Sequence, residues 1–300
     1  MKKIGFIGLG IMGFPMAKNL CQAGFQVIAA DISEAACKRA ADCGIEIGNY
    51  QMIGEQCDII VTILPNGKIV KQVLFGEDGI ITSVRKGSLV IDMSSVTPVE
   101  SRECYQGLKK HGIGFLDAPV SGGEPGAING TLAFMVGGDQ EEYERALPIF
   151  QVLGSSSLLI GESGSGSITK LANQIIVNLN IAAVSEALVF AVKAGVDPEK
   201  VYEAIRGGLA GSAVLDAKAP MIINRNFTPG GKIAINRKDI NNVLETAHML
   251  DIPTPLSANL FEIMQNLKVS GQMEEDHSSI VKYFERLAGV EVKKKTEETL

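Results

Sequence analysis

Short apolar runs alternate with amphipathic stretches through the first half of the chain. Residues 3–7, 26–30, 58–63, 88–92, 114–118 and 131–136 read as strands, and 158–160 continues the pattern. Between them, 14–23, 33–42, 68–75, 99–110 and 140–152 carry helical periodicity. Such alternation predicts a parallel sheet with helices on both faces. From Ser167 to Ala194 neither glycine nor proline interrupts the chain, so a helix of roughly 40 Å is expected there. Its middle (Ile175, Ile176, Val177, Leu179, Ile181, Val184, Leu188, Val189) is apolar on nearly every side, which predicts burial. A membrane span needs about 20 mostly apolar residues, and Asn173, Gln174, Asn178, Asn180, Ser185 and Glu186 interrupt this one. Beyond it, helical patterns at 198–206, 214–223, 239–250, 256–269 and 277–287 come with few strand signals. The expected organisation is α/β: a doubly wound sheet over 1–163, then an all-helical domain over 164–292 entered by a long joining helix at 165–194. The charged end 293–300 reads as a solvated or disordered tail.

Chemistry enters at the first strand end. Gly8-Leu9-Gly10-Ile11-Met12-Gly13 follows strand 3–7 and opens helix 14–23, with Pro15 in the tolerated first turn. This is the Rossmann-type dinucleotide fingerprint in its required context. Gly8 permits the tight turn, Gly10 lets backbone approach a pyrophosphate, and Gly13 lets helix and strand pack closely. The second strand ends in Asp31, where a carboxylate can accept the ribose hydroxyls of NAD and repel the 2′-phosphate of NADP. The nearest bases, Lys38 and Arg39, lie further along the next helix. NAD(H) is favoured over NADP(H).

Ligands of such sheets bind beyond the strand C-termini, which directs attention to three further loops. They are Leu64-Pro65-Asn66, Ser94-Ser95-Val96-Thr97-Pro98 and Asp117-Ala118-Pro119-Val120-Ser121-Gly122-Gly123. In the last, a serine hydroxyl and unencumbered backbone N–H groups suit a carboxylate, although a plain glycine turn has the same composition. Early in the long helix, Lys170, Asn173, Gln174 and Asn178 share one face. By spacing alone that face fits a snorkelling lysine with amides bonding nearby backbone. Lys238-Asp239 is expected to open a later helix.

Composition narrows the partners. A net charge of −6 argues against general nucleic-acid binding. The five cysteines lack CxxC or Cys/His spacing and the three histidines are scattered, so no metal site is expected and the thiols fit a reducing compartment. The N-terminus shows no secretory signal pattern, and a cytoplasmic protein is the expectation.

Four motifs in order resemble the β-hydroxyacid dehydrogenases, from Lys3 to about Val292. These are Gly8 to Gly13, Asp117 to Gly123, Gly164-Ser165-Gly166-Ser167-Ile168-Thr169-Lys170, and Lys238-Asp239. The resemblance implies that Lys170 is the catalytic lysine and that Ser121, Gly122 and Gly123 hold the substrate carboxylate, with Asn173 and Gln174 beside it. It also implies cofactor contacts from Gly8, Leu9, Gly10, Ile11, Met12, Gly13, Asp31, Leu64, Pro65, Asn66 and Ser95, and from Lys238 at the nicotinamide end. Residues 207–212 and 215–220 are most similar to the branch that reduces small 2-hydroxy-3-oxo acids. Two positions depart from the pattern. Gln174 stands where many members have asparagine, and Gly231 follows Pro229-Gly230 where related reductases tend to carry an aromatic. The implied chemistry is hydride transfer between nicotinamide and a small carboxylate-bearing semialdehyde or β-hydroxyacid. A protonated lysine, ordinarily titrating near 10.4, would act as general acid. Alternatives are 3-hydroxyisobutyrate or L-serine oxidation on the same machinery, and a catalytically silent NAD-binding module. A homo-oligomer is expected.

Overall fold

The computed structural model describes residues 3–294; residues 295–300, most of the expected charged tail, lie outside them. The described residues divide into two compact units, which part between Lys170 and Leu171.

The first unit is built on strands β1 (Lys3–Ile7), β2 (Gln26–Ala30), β3 (Glu46–Ile47), β4 (Ile59–Thr62), β5 (Leu89–Asp92), β6 (Gly114–Asp117), β7 (Val120–Ser121), β8 (Leu132–Gly138) and β9 (Gly154–Gly161). Their order is β3-β2-β1-β4-β5-β6-β8-β7, with β9 pairing β8. From β3 to β6 every pairing is parallel; β8 runs antiparallel to β6 and β7 and parallel to β9. The helices are α1 (Gly13–Gln22), α2 (Glu34–Asp42), α3 (Tyr50–Gln56), α4 (Gly67–Phe75), α5 (Pro98–Lys109), α6 (Gly123–Asn129) and α7 (Gln140–Leu153).

Successive strand residues feed different cores. Phe6, Ile59, Val61, Leu89 and Leu116 pack with Met16, Leu20 and Phe150 on one face. Ile7, Ile60, Val90 and Phe115 pack with Ile53, Leu74 and Leu108 on the other. Burial on both faces explains why the parallel strands read as continuous apolar runs.

At the C-terminal rim the register aligns Ile7 with Thr62, Thr62 with Asp92, and Asp92 with Asp117. Aligned residues of parallel neighbours point to the same face, so three polar groups form a row under the loops that follow. All three are almost wholly buried.

The long helix is α8 (Ser165–Lys193), followed by α9 (Pro198–Ile205), α10 (Ala213–Ile223), α11 (Ile233–Met249), α12 (Pro255–Val269) and α13 (Val281–Ala288). Asn178, Ile181, Ser185 and Leu188 of α8 are buried, whereas Ile176 is 67% and Phe190 76% exposed. The expectation of burial on every side is therefore corrected: only part of its circumference meets a core. By length and composition α8 also passes as a membrane-crossing helix. In the second unit α8 packs Val184, Leu188 and Val189 with Tyr202, Leu215 and Ile222, and Ile181 with Ile240, Leu260 and Met264.

One further boundary differs from expectation. Lys238-Asp239 does not open a helix; α11 begins at Ile233, and both residues sit in its second turn. Proline-free apolar residues just upstream (Ile233, Ala234, Ile235) extend the helix backwards past the charged pair.

Candidate active site

The glycine-rich turn is held by contacts that only glycines allow. Gly8 has φ +105° and donates its N–H to Ala30 O at 3.0 Å. A Cβ on Gly13 would overlap the carbonyl oxygen of Gly8, whereas one on Gly10 would meet nothing within 4 Å. The turn is thus closed at its ends and open at its middle. Met12 caps α1 without a side-chain acceptor; Phe14 N bonds Gly10 O at 3.1 Å and Pro15 has no N–H, so the helix N-terminus offers Gly13 N to an anion. These features fit a dinucleotide pyrophosphate. Ile11 is half exposed at the crest of the turn.

Asp31 lies directly against this turn. Its Oδ2 accepts from Leu9 N at 2.6 Å and its Oδ1 from Ser33 N at 2.8 Å. Arg39, which the sequence places further along α2, folds back to the same point. Its Nη2 donates to Leu9 O at 2.8 Å, and its guanidinium stands 4.1 Å from the Phe14 ring centroid. About one and a half turns of α2 carry residue 39 back to Leu9, where Asp31 is also bonded.

The next two loops are tied together beneath their surface. Thr62 Oγ1 donates to Asp92 Oδ1 at 2.8 Å, the Ser94 hydroxyl donates to the same oxygen, and Leu64 N donates to Ser94 Oγ at 2.8 Å. Burial raises the Asp92 carboxyl above its usual range, opposed by bonds from Ser94 and Thr62. Asn66 caps α4 by accepting from Ile69 N at 3.0 Å, Pro65 is exposed, and Ser95 is half-buried.

The fourth loop meets the helix carrying Lys170. Val120 and Ser121 pair with Phe134 and Ala133 of β8, and the chain then turns through Gly122 (φ +137°) and Gly123 (φ +61°) into α6. Ser121 is half-buried and the two glycines are exposed. Lys170, 9% exposed, donates from Nζ to Val120 O at 2.8 Å. The lysine therefore sits one residue from the serine named as carboxylate ligand. Just upstream, Asp117 accepts from Gly164 N at 2.7 Å and Ser167 N at 2.9 Å. Burial pushes its carboxyl up to about 6, against the pull of those amide bonds.

In the second unit Gln174 is committed to neighbours. Its Nε2 donates to Asp239 Oδ2 at 2.6 Å and to Asn236 Oδ1 at 3.3 Å, and its Oε1 accepts from Asn173 at 3.0 Å. Lys238 Nζ lies 2.8 Å from Asp239 Oδ1, an ion-pair distance without hydrogen-bond alignment. The buried His277 joins the group through Nδ1, 3.4 Å from Asn178 Oδ1. A Cβ on Gly231 would lie 3.5 Å from both Asn236 Nδ2 and His277 Nε2, so its lack of a side chain leaves that polar surface uncovered on one side. The loop is pinned by Asp276, which accepts from Gly230 N, Gly231 N and the Lys218 ammonium. Asn236, His277 and Asp276 carry no sequence signal of their own; 62 and 99 positions separate Asn236 and His277 from their partners Gln174 and Asn178.

Comparison with known proteins assigns the chain. A family model described as the NAD binding domain of 6-phosphogluconate dehydrogenase matches residues 3–161. Another, described as NAD-binding of NADP-dependent 3-hydroxyisobutyrate dehydrogenase, matches residues 164–284. The chain belongs to the β-hydroxyacid dehydrogenase family. Among curated members of that family, it is 43% identical to 2-hydroxy-3-oxopropionate reductase of Escherichia coli K12, over 95% of this chain and 98% of the relative. It is 36% identical to 2-(hydroxymethyl)glutarate dehydrogenase of Eubacterium barkeri, over 97% of each chain. A solved 3-hydroxyisobutyrate dehydrogenase of Mycobacterium tuberculosis with L-serine superposes with a TM-score of 0.87 at 29% identity, covering 94% of this chain and 98% of that one. As a β-hydroxyacid dehydrogenase the protein is an oxidoreductase with NAD(P)-binding domains.

Proposed function

We propose that this β-hydroxyacid dehydrogenase reduces tartronate semialdehyde (2-hydroxy-3-oxopropanoate) to glycerate with NADH. The observation that carries the reading is the 2.8 Å bond from Lys170 Nζ to Val120 O, which holds an ammonium beside the Ser121-Gly122-Gly123 loop. NADH, held by the Gly8 to Gly13 turn and Asp31, would supply the hydride for the aldehyde carbon. The Ser121 hydroxyl and the N–H groups of Gly122 and Gly123 hold the substrate carboxylate. Lys170 gives its proton to the carbonyl oxygen as that oxygen becomes a hydroxyl. Asn173, half-buried on the next turn, meets the substrate, and Gln174 acts through its bonds to Asp239 and Asn236. Leu64, Pro65, Asn66, Ser95 and Lys238 are proposed as cofactor contacts. The substrate choice draws support from the 43% identity to a protein named for that reaction.

Steady-state rates with tartronate semialdehyde, methylmalonate semialdehyde and L-serine test the choice. Tartronate semialdehyde with NADH should give the highest kcat/KM; a higher value for either rival transfers the enzyme to the 3-hydroxyisobutyrate or L-serine type.

The preference for NADH rests on Asp31, whose charge disfavours a 2′-phosphate. Like charges about 4 Å apart near a protein surface repel by up to about 4 kcal/mol. Asp31→Ser should therefore move the NADH/NADPH ratio of kcat/KM toward NADPH by at least about tenfold, or about 1.4 kcal/mol. Arg39 favours a second reading, because a guanidinium at this place accommodates the 2′-phosphate of NADP. Under NADH preference, Arg39→Ala leaves the order of the two coenzymes unchanged. Should the native enzyme prefer NADPH and Arg39→Ala abolish that preference, the second reading replaces the first.

A further inference from the structure

Lys170 needs its ammonium aimed as well as present. The turn that aims it, residues 164–167, is fastened to the sheet by one carboxylate. Asp117 is the last residue of β6, and its two oxygens accept separately from Gly164 N and Ser167 N, at 2.7 and 2.9 Å. Three residues further on, the same segment presents Val120 O to Lys170 Nζ at 2.8 Å. Strand, helix turn and lysine thus form a closed circuit: Asp117 to Ser167, Ser167 to Lys170, Lys170 to Val120, and Val120 back to Asp117.

The circuit has no slack. A Cβ on Gly137 would stand 2.7 Å from Asp117 Oδ1 and 2.8 Å from Gly166 N. One on Gly166 would overlap the carbonyl oxygens of Asp117 and Met135. Two glycines on different elements therefore allow strand and helix turn to close on the carboxylate. The fastening is extended by Ser167 Oγ, 2.8 Å from Ser101 Oγ on α5. Asp117 itself is 1% exposed, and its carboxylate is committed to amides, leaving it no contact of its own with substrate.

We infer that Asp117 is a positioning residue for Lys170, holding the first turn of α8 so that the ammonium meets the carbonyl end of the Ser121 loop. The inference rests on the proposed role of Lys170 as proton donor. An asparagine at 117 keeps the shape but turns an NH2 toward one of the two amides, so one bond is lost and the turn shifts. A misplacement of about 1 Å at a reacting group costs on the order of 100-fold in rate.

The test is a double-mutant cycle of Asp117→Asn and Lys170→Ala, with NADH affinity followed by fluorescence titration. Asp117→Asn should lower kcat by roughly 10- to 100-fold, with NADH affinity and KM changed by no more than about threefold, a difference of under 1 kcal/mol. In the Lys170→Ala background it should cause no further loss, because a positioning residue has nothing left to position. Equal losses in both backgrounds, or an unchanged kcat in the single variant, overturn the inference while leaving the proton-donor reading intact. Full turnover by Lys170→Ala alone overturns both.

If Asp117→Asn does not fold, amide hydrogen exchange on the native protein decides. The Gly164 and Ser167 amides should be strongly protected although neither has a partner within the helix, and exchange at the rate of an open loop rules the fastening out.

Discussion

Replacing Lys170 with alanine should cut kcat by 10²- to 10⁴-fold, the range over which a positioned general acid acts, while NADH binding stays within about twofold of native. The split follows from where the side chain is. Its Nζ bonds Val120 O next to Ser121, whereas the dinucleotide is assigned to the glycine turn at Gly8 to Gly13 and to Asp31, which bonds Leu9 N. Turnover and dinucleotide titration on the same preparation check both halves. Native turnover would remove Lys170 from the chemistry and with it the proposed mechanism. A large loss of NADH affinity would instead place the lysine on the cofactor. Val120 O cannot substitute for the missing group, since a carbonyl has no proton to give.

Gly10 and Gly13 should fail in opposite ways. Gly10→Val adds side chain to open space, where the pyrophosphate is proposed to lie. It should spare the melting temperature and weaken NADH binding by roughly ten- to a hundredfold, the equivalent of one amide–phosphate bond worth about 1.5–3 kcal/mol. Gly13→Ala drives a methyl group into Gly8 O and against Ile63. Forcing extra volume into a packed contact costs about 1–3 kcal/mol, so this variant should melt several degrees lower even without cofactor. Thermal melts with and without NADH separate the two. Equal loss of stability in both would mean that Gly10 is packed rather than open to a ligand.

The elements whose side chains are buried on one or both faces were legible, because burial writes a period into the sequence. Strands β1 and β2 and helix α7 lie within a residue of expectation for that reason. The short β3, β7, α3 and α6 were not, being two to seven residues long, too short for a period to show. In particular, Ser121-Gly122-Gly123 reads as a loop by composition, yet Ser121 closes a strand and Gly123 opens a helix. The glycine turn was legible from its place between strand and helix, Ser121 and Lys170 stood out by composition and spacing, and the family resemblance supplied the roles of those two. It did not supply Asp92 or Thr62, since alignment across parallel strands depends on register, which the local pattern leaves open. Arg39 was visible as a residue but not as a neighbour of Leu9, because its approach depends on how α2 lies against the turn. The exposure of Ile176 and Phe190 was hidden for a different reason: α8 is apolar all round, so its sequence does not say which side meets a core.

The aligned row Ile7, Thr62, Asp92 and Asp117 divides the chain into positions that tolerate insertions and positions that do not. One residue added inside β1, β4, β5 or β6 would rotate that strand's terminal side chain to the opposite face, withdrawing a carboxylate or hydroxyl from beneath its loop. The same residue added beyond the row only lengthens a surface connection, at a fraction of a kcal/mol. Divergence among enzymes of this build can therefore proceed through loop length and side-chain identity, while the count of residues from strand start to rim stays constant.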